Sequence, residues 1–273
     1  MARLKTILLI ILLSYSFQLK AIGDSTLHLQ LTKTIIGDYA SFSVDNLGNI
    51  FLITTSNQIK KLNSNLDSVG IYNDVKRYGN IYTIDVSNPL KVLVYYKDFA
   101  TIVMLDRQLN NRNTINLRDQ NILQVKAIAQ SYDNNIWLFD ELESKLKKID
   151  ESGKLLQETS DFRLLFDDVA TPQTIIDMNG LLYLYNATKG WTIFDYYGGL
   201  KNQFAIPNWQ DVQVTDTYLR GRDSAYFYAA KPSQLQFIKA QSPINLATVL
   251  KLVMHQSWVY ILKKDRLEIY SIL

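Results

Sequence analysis

Short apolar segments of about five residues recur along the chain, each flanked by Asn, Asp, Gly or Ser. The segment Ile136–Asp140 (IWLFD) is one of them, and it is rich in β-branched and aromatic residues. None of these segments shows the spacing of three or four residues that indicates a helix. A near-continuous apolar run of this length is typical of a strand buried on both faces. The pattern therefore predicts a chain of short, buried β-strands.

The apolar segments occur in pairs, as in the phrase Ile136–Asp150 (IWLFDELESKLKKID), where a charged turn joins two strands. The second strand has six versions, which begin 43, 44, 45, 44 and 32 residues apart: Ile59–Asn63, Ile102–Asp106, Leu146–Asp150, Trp191–Asp195, Leu235–Lys239 and Leu267–Ser271. The first strand precedes each of them: Ile50–Thr54, Val92–Tyr96, Ile136–Asp140, Leu182–Asn186, Tyr226–Ala230 and Val259–Lys263. A period near 44 residues made of strands is typical of the four-stranded blades of a β-propeller.

The two ends of the chain predict how the ring is completed. The last repeat stops at Leu273, directly after its third strand, and the segment Thr26–Ile36 precedes the first repeat with Leu alternating with polar residues. If the N-terminal strand pairs with the last strand, it supplies the missing outer strand and leaves no open edge. We therefore expect an all-β, six-bladed β-propeller closed by the N-terminal strand.

Two segments depart from the repeat. Asp161–Ala170 lies between the third and fourth blades and is expected to hold a short helical turn. The fifth blade is the most degenerate, and Ser242-Pro243 would weaken its outer strand because Pro lacks a backbone donor. We expect that weakness to account for the short last step of 32 residues.

Two stretches have the form of a known group of propeller repeats. DNLGNIFLI is followed by IKKLN in residues 45–63, and NNIWLFD is followed by LKKIDESGKLLQ in residues 134–157. They resemble the repeats of NHL and TolB-like six-bladed propellers, in which an Asp-x-x-Gly-Asn turn precedes an apolar strand. The resemblance implies the same fold. Because these groups include protein-binding scaffolds, hydrolases, lactonases and dehydrogenases, it implies no single function.

The first 21 residues have a different character from the rest. Arg3 and Lys5 precede the uncharged stretch Thr6–Leu19, whose 14 residues are followed by the small residue Ala21. About 20 apolar residues are needed to span a bilayer. We interpret residues 1–21 as a signal peptide and residues 22–273 as a single exported β-propeller domain, periplasmic or secreted, with no stable membrane span after processing. An uncleaved N-terminal anchor is the alternative.

Charge and cysteine content narrow the expected partners. The chain has 29 Lys and Arg against 26 Asp and Glu, but residues 1–21 contain three of the basic residues and no acidic one. The predicted mature domain is therefore neutral, and we expect no nucleic-acid partner because such partners require a basic surface. The chain has no Cys, which excludes disulfides, a cysteine nucleophile and a lipid anchor on cysteine.

Few residues suggest catalytic or metal chemistry. No G-x-S-x-G elbow, P-loop or G-x-G-x-x-G motif is present. His28 and His255 have no partner at metal-ligand spacing, so we interpret them as a surface and a turn histidine. Asp140–Glu143 is interpreted as a solvated turn facing lysines, with a paired acid–base site as the alternative. Asn186 begins a glycosylation sequon. We predict no catalytic residue, metal ligand or cofactor; calcium on the propeller axis is the alternative.

One end of the predicted ring is a candidate binding face. Turns between the middle strands share this face with the connections from one blade to the next. Aromatic and Arg side chains in such loops are typical of interaction surfaces. The candidates are Tyr72, Arg77, Tyr78, Lys97, Phe99, Arg118, Arg163 and Trp209, with Asp98 and Lys231 beside them. For Phe99 and Trp209, the alternative is that they fill gaps between blades.

Three functions follow from these predictions. The first is an exported, non-catalytic binding or scaffold module that holds a protein or another cell-envelope component. The second, suggested by the family resemblance, is a propeller hydrolase or lactonase with an axial carboxylate or calcium site. The third is a carbohydrate-binding module that stacks sugars on Tyr72, Tyr78 and Trp209.

Overall fold

The computed structural model describes residues 27–231 and 236–273. The predicted signal peptide, residues 1–21, lies outside these residues, as do Thr26 and Leu235 of two predicted strands. Within the described ranges, 24 strands form six four-stranded antiparallel sheets arranged in a ring, and the protein is a six-bladed β-propeller.

The strand bounds in chain order begin with β1 (Leu29–Ile36), β2 (Tyr39–Val44), β3 (Ile50–Thr54), β4 (Ile59–Leu62), β5 (Ser68–Tyr72), β6 (Thr83–Asn88), β7 (Lys91–Tyr96), β8 (Thr101–Asp106) and β9 (Asn111–Asn116). They continue with β10 (Val125–Gln130), β11 (Ile136–Asp140), β12 (Lys145–Ile149), β13 (Leu155–Glu158), β14 (Thr174–Met178), β15 (Leu181–Asn186), β16 (Gly190–Asp195) and β17 (Leu200–Phe204). They end with β18 (Gln210–Val214), β19 (Leu219–Arg222), β20 (Tyr226–Lys231), β21 (Gln236–Gln241), β22 (Lys251–His255), β23 (Trp258–Lys263) and β24 (Arg266–Ile272).

The helices of the described residues are short. Two α-helical turns are α1 (Val75–Tyr78) and α2 (Phe162–Leu165), and two 3₁₀ turns cover Leu117–Gln120 and Leu246–Thr248. The α2 turn lies within the segment 161–170, where the sequence predicts a helical turn.

Blades one to five each use four consecutive strands, from β2–β5 to β18–β21, with the first strand innermost. The sixth blade contains β22, β23 and β24, and β1 pairs antiparallel with β24 as its fourth strand, from Leu29 opposite Ile272 to Ile36 opposite Arg266. The outer strand of the last blade therefore comes from the N-terminal side of the chain.

The core lies between neighbouring blades. Every residue of β3, β7 and β11 is buried, which explains the continuous apolar runs in the sequence. Side chains from β7 and β11, for example Tyr95 and Leu138, meet in one apolar cluster between blades two and three. Each strand of this kind therefore packs on the blade before it and on the blade after it.

The Asp or Asn that ends the repeated phrase has a structural role. The Asp106 carboxylate accepts hydrogen bonds from the backbone N–H groups of Gln108 and Asn110 at 2.8 and 2.9 Å, and so closes the turn from β8 to β9. Asn63, Asp150 and Asp195 make the same pair of bonds in blades one, three and four. This capping chemistry is why the position is Asp or Asn in the repeat.

Polar side chains connect the inner strands around the axis. Asp85 of β6 accepts a hydrogen bond from the Gln130 backbone N–H of β10 at 2.7 Å. Gln213 of β18 accepts one from the Met254 backbone N–H of β22 at 2.8 Å. These bonds satisfy backbone groups at the edge that each inner strand turns to the axis.

The assignment of the fifth blade from the sequence is wrong by one strand. Tyr226–Ala230 and Leu235–Lys239 are predicted as its second and third strands, but they belong to β20 and β21, which are the third and fourth. The second strand is β19, with the sequence LRGR, which has no apolar run because Gly221 leaves space for Trp209 and Arg222 is a buried ion-pair partner. The short final step reflects this shift and not Ser242-Pro243.

A buried carboxylate stabilises the last strand. Glu268 of β24 contacts Lys263 at 2.7 Å, the Arg266 Nε at 2.7 Å and the Tyr270 hydroxyl at 2.6 Å. Burial of Glu268 opposes its ionisation, but the three donors outweigh burial and lower the pKa of Glu268 to about 2.

We expect this carboxylate to make stability depend on pH. The folded pKa of Glu268 lies below its unfolded value of about 4.3, so its contribution is complete above that pH and is lost as the pH falls toward 2. Glu268→Gln should therefore lower the free energy of unfolding at pH 7 by roughly 1–3 kcal/mol and flatten the loss of stability below pH 4.3. Urea melts of both proteins from pH 2 to 7 measure this difference, and parallel pH profiles would contradict it.

Candidate functional site

We call the end of the ring that carries the turns between second and third strands, and the connections between blades, the upper face. The opposite end, the lower face, carries the other turns. Five predicted binding residues are exposed or half-exposed on the upper face: Arg77, Lys97, Phe99, Arg118 and Arg163. Whether they bind a partner stays a prediction. Asp98 is also exposed there.

The other three aromatic candidates are buried. Tyr72 and Tyr78 belong to the apolar cluster between blades one and two, where the Tyr78 and Tyr96 rings lie 5.2 Å apart. Trp209 is stacked on Tyr228 at 5.5 Å between blades four and five. The prediction that these rings offer stacking platforms is wrong, because both faces are used in packing. Lys231 ends the third strand of its blade and so lies toward the lower face.

Exposed apolar side chains are concentrated on the upper face. Among the described residues, the large apolar side chains exposed at this end are Ile36, Tyr82, Phe99, Leu123, Leu142, Leu164, Leu165 and Leu250. Those in the turns of the lower face are Leu47, Leu90, Tyr132 and Tyr197. The contrast points to the upper face, since clusters of exposed apolar residues mark interaction surfaces.

Direct contacts join the turns of the upper face into one band. The Lys97 ammonium lies 5.2 Å from the Tyr82 ring centre and 3.4 Å from the Glu141 carboxylate of the next blade. The Arg163 guanidinium donates to the Glu143 carbonyl at 3.3 Å. The upper band is defined by its residues Tyr82, Lys97, Phe99, Arg118, Leu123, Leu142, Arg163 and Leu164.

Arginines of the upper band are held in place by contacts with neighbouring loops. Arg118 donates to the Asp98 carbonyl at 3.0 Å, and Arg163 pairs with Asp161 at 2.6 Å. The pKa of Asp161 is lowered by its hydrogen bond from Arg163. These contacts restrict long side chains before a partner arrives, which reduces the entropic cost of binding.

The acidic turn after β11 differs from the solvated turn that the sequence predicts. Asp140 is 1% exposed and Lys147 is 4% exposed, and they form an ion pair at 2.8 Å. Burial disfavours the charged form of Lys147, but its hydrogen bonds to Asp140 and Glu143 outweigh burial and raise the pKa of Lys147. Asp140 therefore serves as a buried structural anion, whereas Glu143 is exposed at the rim.

The axis holds a cavity of about 340 Å³ lined by the inner strands of all six blades. Its carboxylates are Asp85 and Asp177. Burial raises the pKa of Asp177, although the Tyr196 hydroxyl and the Trp137 indole N–H donate to it. Within residues 27–231 and 236–273, no three His, Cys, Asp or Glu side chains cluster as a metal site would require. The axial calcium alternative thus has no supporting group of ligands among those residues.

Two further sequence features have clear positions. His28 is exposed, and His255 ends β22 in a half-buried position. The side-chain nitrogen of Asn186 donates to the Thr171 carbonyl at 2.7 Å, while its oxygen accepts from Thr188 and Lys189. A sugar on Asn186 would have to break the first of these bonds.

Neither a family model nor a curated protein matches the sequence. Solved structures are similar in fold. Virginiamycin B lyase from Staphylococcus aureus has a TM-score of 0.65 and 11% identity, covering 90% of this chain and 100% of that chain. The WD40 domain of Neurospora crassa Pan2 has a TM-score of 0.60 and 11% identity, covering 91% and 96%.

A third similar structure belongs to a longer protein. PorZ of Porphyromonas gingivalis, described as a bacterial surface component of the type-IX secretion system, has a TM-score of 0.57 and 11% identity, covering 87% of this chain and 33% of that chain. These likenesses define the class, a six-bladed β-propeller, and the functions of the three proteins differ. In the part of the chain that the structure describes, no helix has the length and apolarity to cross a membrane.

Proposed function

We propose that this protein is an exported, non-catalytic propeller that binds a protein partner of the cell envelope through the upper band. The observation that carries the proposal is the concentration of exposed apolar side chains on one face, with arginines held among them. Aromatic, aliphatic and Arg side chains in one patch are the usual anchors of protein interfaces.

The shape of the upper band favours a protein over a small molecule. Phe99, Leu142 and Leu164 are 47%, 53% and 82% exposed, so they protrude from loops instead of lining a pocket. Protruding apolar side chains on a rigid ring bury their surface when they enter pockets of a partner. The export of this module is proposed from the basic and apolar pattern of residues 1–21.

The test replaces three protruding side chains at once. We expect Phe99→Ser, Leu142→Ser and Leu164→Ser together to reduce capture of the partner from envelope extracts of the native cells by at least about tenfold, since each anchor contributes about 1–2 kcal/mol. Tagged full-length chain and quantitative mass spectrometry measure the capture.

The matched control carries three substitutions on the lower face, Leu47→Ser, Leu90→Ser and Tyr197→Ser, all at exposed apolar positions. It should retain the captured partner, and both variants should keep the wild-type melting temperature. Equal loss in both variants, or capture that the upper-band substitutions leave unchanged, would refute the proposed function.

A further inference from the structure

A second cavity lies at the junction of blades six and one, on the lower face. It has a volume of about 250 Å³ and is bounded by the turn from β22 to β23, by two turns of blade one and by β1. Its lining includes Lys33, Ser64, Leu66, His255, Trp258 and Tyr260. This volume is close to the lower limit of about 300 Å³ for ligand pockets, so its occupant would be small.

His255 gives this cavity an unusual polar group. Its Nε2 atom is buried and has no hydrogen-bond partner among the described residues. A buried polar atom without a partner costs about 1–3 kcal/mol, and buried polar groups in folded proteins are nearly always paired. The missing partner is therefore expected to be a molecule that the protein binds.

The charges around the cavity indicate what that molecule is. Counting only the described residues, no Asp or Glu lines the cavity, and exposed Lys33 at its edge forms no ion pair. Trp258, Tyr260 and Leu66 offer apolar and aromatic walls. A lysine and an imidazole nitrogen without an opposing carboxylate favour an anion, and the aromatic walls favour a planar or apolar body.

We propose that this cavity binds a small organic carboxylate with an aromatic or apolar body. The carboxylate accepts hydrogen bonds from His255 and Lys33, and the body packs between Trp258, Tyr260 and Leu66. The site lies on the face opposite the upper band, so it is independent of the proposed protein partner.

Nuclear magnetic resonance of the full chain tests the site, with benzoate as the probe. The chain has only two histidines, so the imidazole resonances of His255 are read against exposed His28 as an internal control. We expect benzoate to shift the His255 resonances saturably, with a dissociation constant of roughly 1 mM, and to leave those of His28 unchanged. Benzamide, which has the same shape without the charge, should bind at least about tenfold more weakly.

Two variants identify the donors. Lys33→Gln, at an exposed position that leaves the fold intact, should weaken benzoate binding several-fold. His255→Leu should abolish it, whereas His255→Gln, which keeps a side-chain donor, should restore part of it. No saturable shift of the wild-type His255 resonances, or equal affinity for benzoate and benzamide, would overturn the assignment.

Discussion

Replacing Trp209 with alanine should lower the free energy of unfolding by about 3–5 kcal/mol, the range for removal of a large aromatic side chain from a core. Trp209 is 5% exposed, stacks on Tyr228 and belongs to the apolar cluster between blades four and five. Its backbone N–H donates to the Tyr185 hydroxyl at 2.7 Å, which fixes the loop that carries it. Urea unfolding followed by circular dichroism measures the loss.

A paired substitution tests whether Trp209 fills a gap between blades. A methyl group on Gly221 would lie 2.7 Å from the Trp209 ring, so Gly221→Ala alone should destabilise the protein by about 1–3 kcal/mol through overpacking. With Trp209 already replaced by alanine, the added methyl should cost little, because the space it needs is free.

The matched surface control is Phe99→Ala, which should change the free energy of unfolding by less than about 0.5 kcal/mol. If Trp209→Ala were as mild as Phe99→Ala, or if the two substitutions at 209 and 221 were strictly additive, the gap-filling role would be wrong. A confirmed role would also explain why tests of the binding face should leave Trp209 unchanged.

Replacing Asp140 with alanine should cost about 3 kcal/mol, because it leaves the buried Lys147 ammonium without its nearest carboxylate. The effect is expected at the lower end of the usual range of about 3–5 kcal/mol, because Glu143 still contacts Lys147 at 3.0 Å. Asp140 also accepts a hydrogen bond from the Leu142 backbone N–H at 3.0 Å, so the turn of the upper band should loosen as well.

The double variant Asp140→Ala with Lys147→Met separates the charge effect from the shape effect. It should recover much of the stability, since an apolar replacement of a buried ion pair is often close to neutral. Lys145→Met is the matched control: Lys145 is more exposed, pairs with Glu158, and should cost no more than about 1 kcal/mol. A double variant less stable than Asp140→Ala alone would contradict this account.

The two predictions bear on the proposed function. The buried pair fixes the turn that presents Leu142, and Trp209 fixes the contact between two blades on the other side of the ring. A rigid ring with protruding loop residues is well suited to binding, because little order has to be gained when the partner arrives. Loss of capture after Asp140→Ala would therefore report loosening of the turn as well as loss of contact.

Much of the fold could be predicted because the repeat is encoded locally. Buried second strands such as β11 require continuous apolar runs, and the Asp or Asn after the third strand caps its turn within four residues. Blade five was misassigned because β19 follows a different rule. It keeps Gly221 for the ring of Trp209 and buries the charge of Arg222 against Asp211 at 2.6 Å, and neither feature looks like a strand in the sequence.

The sequence by itself determined the strands, their period, the number of blades and the face on which Arg77, Lys97, Phe99, Arg118 and Arg163 lie. Only the tertiary structure decided that Tyr72, Tyr78 and Trp209 are buried, that Asp140 is paired inside the protein and that His255 has a buried nitrogen without a partner. The reason is physical: strand and turn formation depend on residues within a few positions, whereas the exposure of a loop side chain depends on what the neighbouring blade places against it.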